Sequence, residues 1–212
     1  MSDLAMLVGR QDDAFSAFAR ALTEEEWDRP SLCTGWTNKD VLAHLALGLH
    51  LPLSRMLLAM GRRRGSFDTA NEDICRQYGR RHTARELIDE FDRARARPRG
   101  IGRLLPAPLM LGDHVVHHLD IALALDEPAH LSDEVANAVL KVETTIPNPF
   151  VPAAARARGL TLRTVDTGWT RPGSGALDIA GAAEHLISVL AGRPRALRHL
   201  TGSGITELTR RM

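Results

Sequence analysis

Leu111-Gly112-Asp113-His114-Val115-Val116-His117-His118-Leu119-Asp120-Ile121-Ala122-Leu123-Ala124-Leu125 reads as a single helix, with no internal proline and apolar residues at both helical spacings. At about 100° per residue, Asp113, His117, Asp120 and Ala124 share an arc about 60° wide, while Val115, Leu119 and Ala122 lie on the opposite, core-facing side. A carboxylate and an imidazole one turn apart on one helix face are placed to hold a single cation together. The same pattern also suits a helix in which Asp113 and Asp120 only hydrogen-bond His117. His114 and His118 make a second pair one turn apart on another face, and periodicity does not choose between the pairs.

The chain around this stretch has 212 residues, enough for one large domain or two small ones, with 44% hydrophobic and 25% charged residues. Such a composition buries its own core and is neither disordered nor membranous. A net charge of +1 and 4% aromatic residues leave no electrostatic footprint for nucleic acid. Cys33 and Cys75 lie far apart and form no Cys-x-x-Cys pair, as expected of a reducing, cytoplasmic compartment. The start of the chain, with Asp3, Asp12 and Asp13, lacks a basic-then-apolar leader. The longest uncharged run, Val41 to Ser54, contains two histidines and a proline and falls short of the ~20 residues of a membrane span. A soluble protein without a membrane partner is expected.

Ser2 to Leu22 forms the first helical pattern, and Thr23-Glu24-Glu25-Glu26 resembles a capping box opening a short turn around Trp27. Arg29 to Trp36 is rich in turn residues, and Thr37-Asn38-Lys39-Asp40 marks the next helix start. The pattern predicts a helix from about Asn38 to Met60, apolar over much of its circumference and kinked by Pro52 near Gly48. Gly61-Arg62-Arg63-Arg64-Gly65 reads as a solvated basic loop, with a site for an acidic substrate as the other reading. Helices are expected over Asn71–Gly79, Thr83–Ala96 and Ser132 to about Thr145, after which Pro147, Pro149 and Pro152 break the pattern. From Gly159 the texture changes to three short strand patterns and then short helices. The expected division is a helical portion over 1–158 and a small α/β portion over 159–212.

Three side chains are candidates to converge: His44 on the second helix, with Asp113 and His117 on the later one. Facing helices of a bundle commonly build metal sites in this way. Two imidazoles and a carboxylate suit Zn²⁺, and also Fe²⁺, Mn²⁺ or Ni²⁺, and three protein ligands leave positions open for water or substrate. Asp120, one turn beyond His117, is a candidate acceptor behind the ligands, or a partner for an arginine. His50, His82, His130, His185 and His199 read as surface or packing residues, and Cys33, with no base nearby in sequence, as structural. No Gly-x-Gly-x-x-Gly, Walker, His-Glu-x-x-His or Gly-x-Ser-x-Gly motif is present.

The chain resembles the mycothiol-dependent maleylpyruvate isomerase family, part of the wider DinB-like metal-binding bundles. The resemblance rests on Ser31-Leu32-Cys33-Thr34-Gly35-Trp36-Thr37 through Asp40-Val41-Leu42-Ala43-His44-Leu45, and on Asp113 through Ile121. It extends to Val165-Asp166 with Trp169, Ala191-Gly192-Arg193-Pro194, and Leu200-Thr201-Gly202-Ser203-Gly204 up to Arg210. It implies a mainly α fold, a DinB-like four-helix bundle with a small C-terminal α/β portion. It further implies a divalent metal, usually zinc, that binds the sulfur of mycothiol as co-substrate. His44 and His117 match ligand positions of the family; at position 113 the isomerases have Glu and histidine-triad DinB proteins have His, where this chain has the shorter Asp113. The implied reaction is thiol activation followed by isomerisation or S-transfer on a small electrophilic substrate, with Arg193 and Arg210 as candidates for an anionic group on it. The rival reading is a non-catalytic DinB-like protein that uses its cleft for a ligand or partner. A homodimer stays open.

Overall fold

The computed structural model describes residues 2–62, 66–148 and 151–212. Arg63, Arg64 and Gly65 of the expected basic loop, and Pro149, lie outside them. The helices are α1 (Ser2–Ala21), α2 (Glu24–Asp28), α3 (Asn38–Gly48), α4 (Leu53–Arg62), α5 (Phe67–Gly79), α6 (Ala84–Ala96), α7 (Ala107–Leu125), α8 (Asp133–Thr145), α9 (Ala153–Arg156), α10 (Ala183–Leu190) and α11 (Ile205–Arg210), with a 3₁₀ segment at Pro194–His199. The strands are β1 (Thr161–Thr164), β2 (Thr170–Arg171) and β3 (Asp178–Gly181). No described helix is long and apolar enough to cross a membrane.

Two compact units emerge. One comprises Asp12–Pro106 and Asp120–Ala129. In it α3 packs on α5 and α6, and α4 on α5. Its interior holds Phe15 edge-on to Phe91, with ring centroids 5.2 Å apart, together with Val41, Leu42, Leu45 and Leu87. A second cluster of Leu47, Leu51, Met56, Ala70 and Cys75 is flanked by Trp36, Phe67 and Tyr78. Three of its helices start on reciprocal capping boxes, Thr23 with Glu26, Thr37 with Asp40 and Thr83 with Glu86. Each box satisfies two otherwise unpaired N–H groups at the helix start. Removing one half should be measurable: Thr37→Ala is expected to lower stability by about 1 kcal/mol in urea denaturation. No change in the midpoint would mean that packing alone starts α3.

The single helix expected from Asn38 to Met60 is two helices, α3 and α4. Pro52 has no N–H to continue the ladder. The chain around it is instead held from outside: the Arg99 N–H donates to the Leu49 carbonyl at 2.8 Å and the Ile101 N–H to that of Leu51 at 3.0 Å. This approach needs Gly100, whose φ is +52° and whose place, filled by a Cβ, would put that carbon 2.0 Å from the Leu51 oxygen.

The other unit comprises Met1–Gln11, Ala107–Leu119 and His130–Met212. Its sheet has the order β2-β1-β3, with β1 antiparallel to β2 and parallel to β3. Helix α10 packs against α8, α9, β3 and the 3₁₀ segment. The Asp166 carboxylate accepts from the Ala183 N–H at 3.1 Å, which anchors the start of α10 to the turn after β1.

Candidate metal centre

The sequence of α7 explains its placement. Pro106 and Pro108 stop any helix arriving from upstream while tolerating a start there, since the first-turn N–H groups have no partner to lose. Asp126 ends the helix in the left-handed region at φ 59°. Between these ends Val115, Leu119 and Ala122, the side assigned to the core from periodicity, are fully buried, and so is Leu111. Asp113 and His117 lie on the other side and remain partly accessible, with His117 Nε2 3.6 Å from Asp113 Oδ1. Asp120, by contrast, is only 1% exposed.

The competing pair is used differently. His118 is fully buried, and its Nδ1 lies 3.0 Å from Gln11 Nε2 on α1. Burial pushes its pKa down to about 4, with the charge of His130 adding to the effect, so the ring is neutral and accepts from the Gln11 amide. His114 is buried as well.

His44 is set by α3. Val41, Leu42, Ala43 and Leu45 around it are buried, which fixes the rotation of the helix, and His44 itself is half-buried. The Trp36 ring meets the imidazole edge-on, with centroids 5.9 Å apart. Asn71 of α5 brings its Nδ2 to 3.3 Å from His44 Nδ1, and Cys75, one turn further along α5, has its Sγ 3.9 Å from the same nitrogen. The Cys75 thiol donates to Asn71 Oδ1 at 3.5 Å.

A third element is the tight loop before α3. The Ser31 N–H donates to the Trp36 carbonyl at 2.9 Å, and the Trp36 N–H to that of Cys33 at 3.0 Å. Ser31 Oγ accepts from the Cys33 N–H at 3.1 Å. Gly35 takes φ +81°, and its carbonyl accepts from the Arg76 guanidinium. The loop is tied to α7 by the Leu32 N–H, which donates to the Asp120 carbonyl at 3.0 Å, and by the Cys33 thiol, which donates to Asp120 Oδ2 at 3.1 Å.

Two groups of candidate metal ligands result among the described residues. His44, Asp113 and His117 each offer one ligand atom, and these atoms lie within 4.8 Å of one another; the same holds for Cys33, His117 and Asp120. His117 belongs to both. His114 and His118 belong to neither. Cys33 was read from the sequence as structural and Asn71 was not singled out, and no local signal points to either as part of a site, since Cys33 meets a carboxylate 87 positions away and Asn71 a ring 27 positions away.

The remaining candidates have other partners. Arg210 holds Glu207 through two nitrogens at 2.9 and 2.7 Å and is 72% exposed. Arg193 donates to the Ala191 carbonyl at 2.8 Å and, with Arg156, is one of the positive charges felt by the buried Glu143. His50 pairs with Glu90, which also accepts from the Tyr78 hydroxyl at 2.7 Å. His185 stacks on His199, with centroids 4.2 Å apart.

Residues 8–100 match the family described as mycothiol maleylpyruvate isomerase N-terminal domain. Among solved structures, the mycothiol-dependent maleylpyruvate isomerase is similar at 16% identity and a TM-score of 0.59, over 95% of this chain and 92% of that one. A histidine-to-alanine mutant of the same isomerase is similar at 14% identity and a TM-score of 0.58, with the same coverage. A search of curated proteins finds no match. The architecture is therefore that of these isomerase structures, mainly helical with a small three-stranded sheet, and residues 8–100 of this chain match the mycothiol maleylpyruvate isomerase N-terminal domain family.

Proposed function

We propose that this chain is a divalent-metal-dependent enzyme that uses mycothiol, a low-molecular-weight thiol, to isomerise or S-conjugate a small electrophilic substrate. Its ligands in this reading are His44, Asp113 and His117. The observation that carries it is the approach of two imidazoles and one carboxylate to within 4.8 Å, in a chain that matches the mycothiol maleylpyruvate isomerase N-terminal domain. This donor set fits a borderline cation, zinc first, with iron, manganese and nickel as alternatives. A divalent cation held there would lower the pKa of a coordinating thiol and make thiolate available at neutral pH.

The chain's own residues supply the rest. Asn71 steadies the His44 ring at Nδ1. An amide can turn its oxygen toward an Nδ1–H, which directs Nε2 to the ligand position. The Trp36 edge restricts the same ring from a second side. Asp113 contributes the negative charge that two neutral imidazoles lack, and its partial exposure keeps an open approach for thiol and substrate. Addition of the thiolate to an electrophilic carbon allows rotation before elimination, which is an isomerisation; retention of the new bond is a transfer. For an anionic group on the substrate, Arg193 is preferred over Arg210, because Arg210 would first have to leave Glu207.

The test is elemental analysis of protein purified without chelator, followed by a mycothiol-conjugation screen over small electrophiles. Stoichiometric divalent metal, and turnover that needs both metal and mycothiol, is the expected result. Folded, metal-free protein with no thiol-dependent turnover overturns the reading.

A further inference from the structure

Beyond the ligand set just proposed, we propose that Cys33, His117 and Asp120 form a second, sulfur-containing position for a divalent cation, which shares His117 with the first. One ligand atom from each of the three lies within 4.8 Å of the other two. His117 and Asp120 are three residues apart on one unbroken helix, α7, so their spacing is fixed by helix geometry. Cys33 is brought to them by a loop built for rigidity. Three hydrogen bonds close the Ser31–Trp36 turn on itself, and the Leu32 N–H ties it to the Asp120 carbonyl. Arg76 fastens it again at Gly35.

The chemistry of the three donors adds a second line of support. Asp120 is 1% exposed, and the Cys33 thiol donates to its Oδ2 at 3.1 Å. A divalent cation compensates the charge of so buried a carboxylate directly. On binding, the sulfur–metal bond replaces the S–H bond, the proton passes to solvent, and nothing is oxidised or reduced. A thiolate, an imidazole and a carboxylate select zinc, cobalt or cadmium over magnesium or calcium, and they leave a fourth position open. His117 is common to both groups, so the two positions compete for its ring. The shorter Asp113 at the first position gives the second a competitor it can displace. Through His117 the inference touches the function proposed above, but it needs neither His44 nor Asp113.

Cobalt(II) added to chelator-treated, full-length protein reads the sulfur ligand without any assay of turnover. The expected result is a near-ultraviolet thiolate-to-cobalt charge-transfer band that saturates with the visible bands. That band should vanish in Cys33→Ser, survive in Cys75→Ser, and survive in His44→Ala and Asp113→Ala. In wild-type protein, one equivalent of zinc should also slow alkylation of Cys33 by iodoacetamide about tenfold, a readout that requires no variant to fold. Cobalt bound without the band, or a band that Cys33→Ser leaves in place, overturns the second position and spares the first. A band that persists in His44→Ala while the wild type shows no thiol-dependent turnover does the reverse. Failure of wild-type protein to bind cobalt at all overturns both.

Discussion

His117→Ala protein, purified without chelator, is expected to emerge folded but stripped of its stoichiometric metal, and His44→Ala protein to emerge folded without a cation at the His44–Asp113–His117 position, with mycothiol-dependent turnover lowered about 100-fold or more in both. Three ligands leave little redundancy, and the loss of one imidazole removes a third of the donor set. The fold should tolerate both changes. His44 and His117 are each partly accessible, and alanine is a strong helix former at the positions they occupy in α3 and α7. Added zinc supplies the control. A ligand present at 100 times its Kd stabilises the folded state by about 2.7 kcal/mol, so wild-type protein should gain thermal stability with zinc while His117→Ala gains none and His44→Ala gains less than wild type. Asn71→Ala should act on the same site more gently, with a loss of metal affinity of about tenfold, because it frees a ring that still ligates. If both histidine variants keep the metal, the ligands are other residues. If wild-type protein holds no metal and all three proteins share one melting temperature with and without zinc, the chain is the non-catalytic member of this fold.

What could be read in advance divides by the distance over which the cause acts. The capping boxes at Thr23, Thr37 and Thr83 are complete within four residues each, and their helices begin where those residues stand. The buried side of α7 follows from its own periodicity, and Val115, Leu119 and Ala122 obey it. The break between α3 and α4 is only half local. Pro52 announces a disturbance, but two separate helices require the Arg99 and Ile101 amides to take over the Leu49 and Leu51 carbonyls, from a segment some fifty residues downstream that passes only because position 100 is glycine. The candidate site shows the same division. Asp113 and His117 share an arc by helix geometry, whereas the internal bond that occupies His118 depends on Gln11, which lies 107 positions away in the chain. Cys33 had no base near it in sequence, and its partner Asp120 becomes visible only once the loop is seen folded against α7.

Glu143→Gln is expected to stabilise the protein increasingly as the pH rises. Glu143 is buried in the last turn of α8, where unpaired helix carbonyls already disfavour negative charge, and its Oε2 has no hydrogen-bond partner among the described residues. Burial pushes its carboxyl pKa up to about 8 from an ordinary 4.5, and the charges of Arg193 and Arg156 offset only part of that shift. The sign follows from where the protons sit. Below the unfolded-state pKa both folded and unfolded chains carry the proton, and the side chain has no effect on the pH dependence. From there to about pH 8 the unfolded chain has released the proton while the folded one retains it, so each pH unit lowers stability by about 1.36 kcal/mol. Glutamine has the same shape and never ionises. Urea denaturation of both proteins at pH 5 and pH 7.5 should therefore show their stability difference moving by about 3 kcal/mol in favour of the variant. A difference that stays constant with pH, or a variant less stable at every pH, would mean that Arg193 and Arg156 hold Glu143 as a carboxylate. Arg193 would then be committed to an internal ion pair and unavailable to any anionic substrate, so the same pair of denaturation curves also bears on how that substrate is bound.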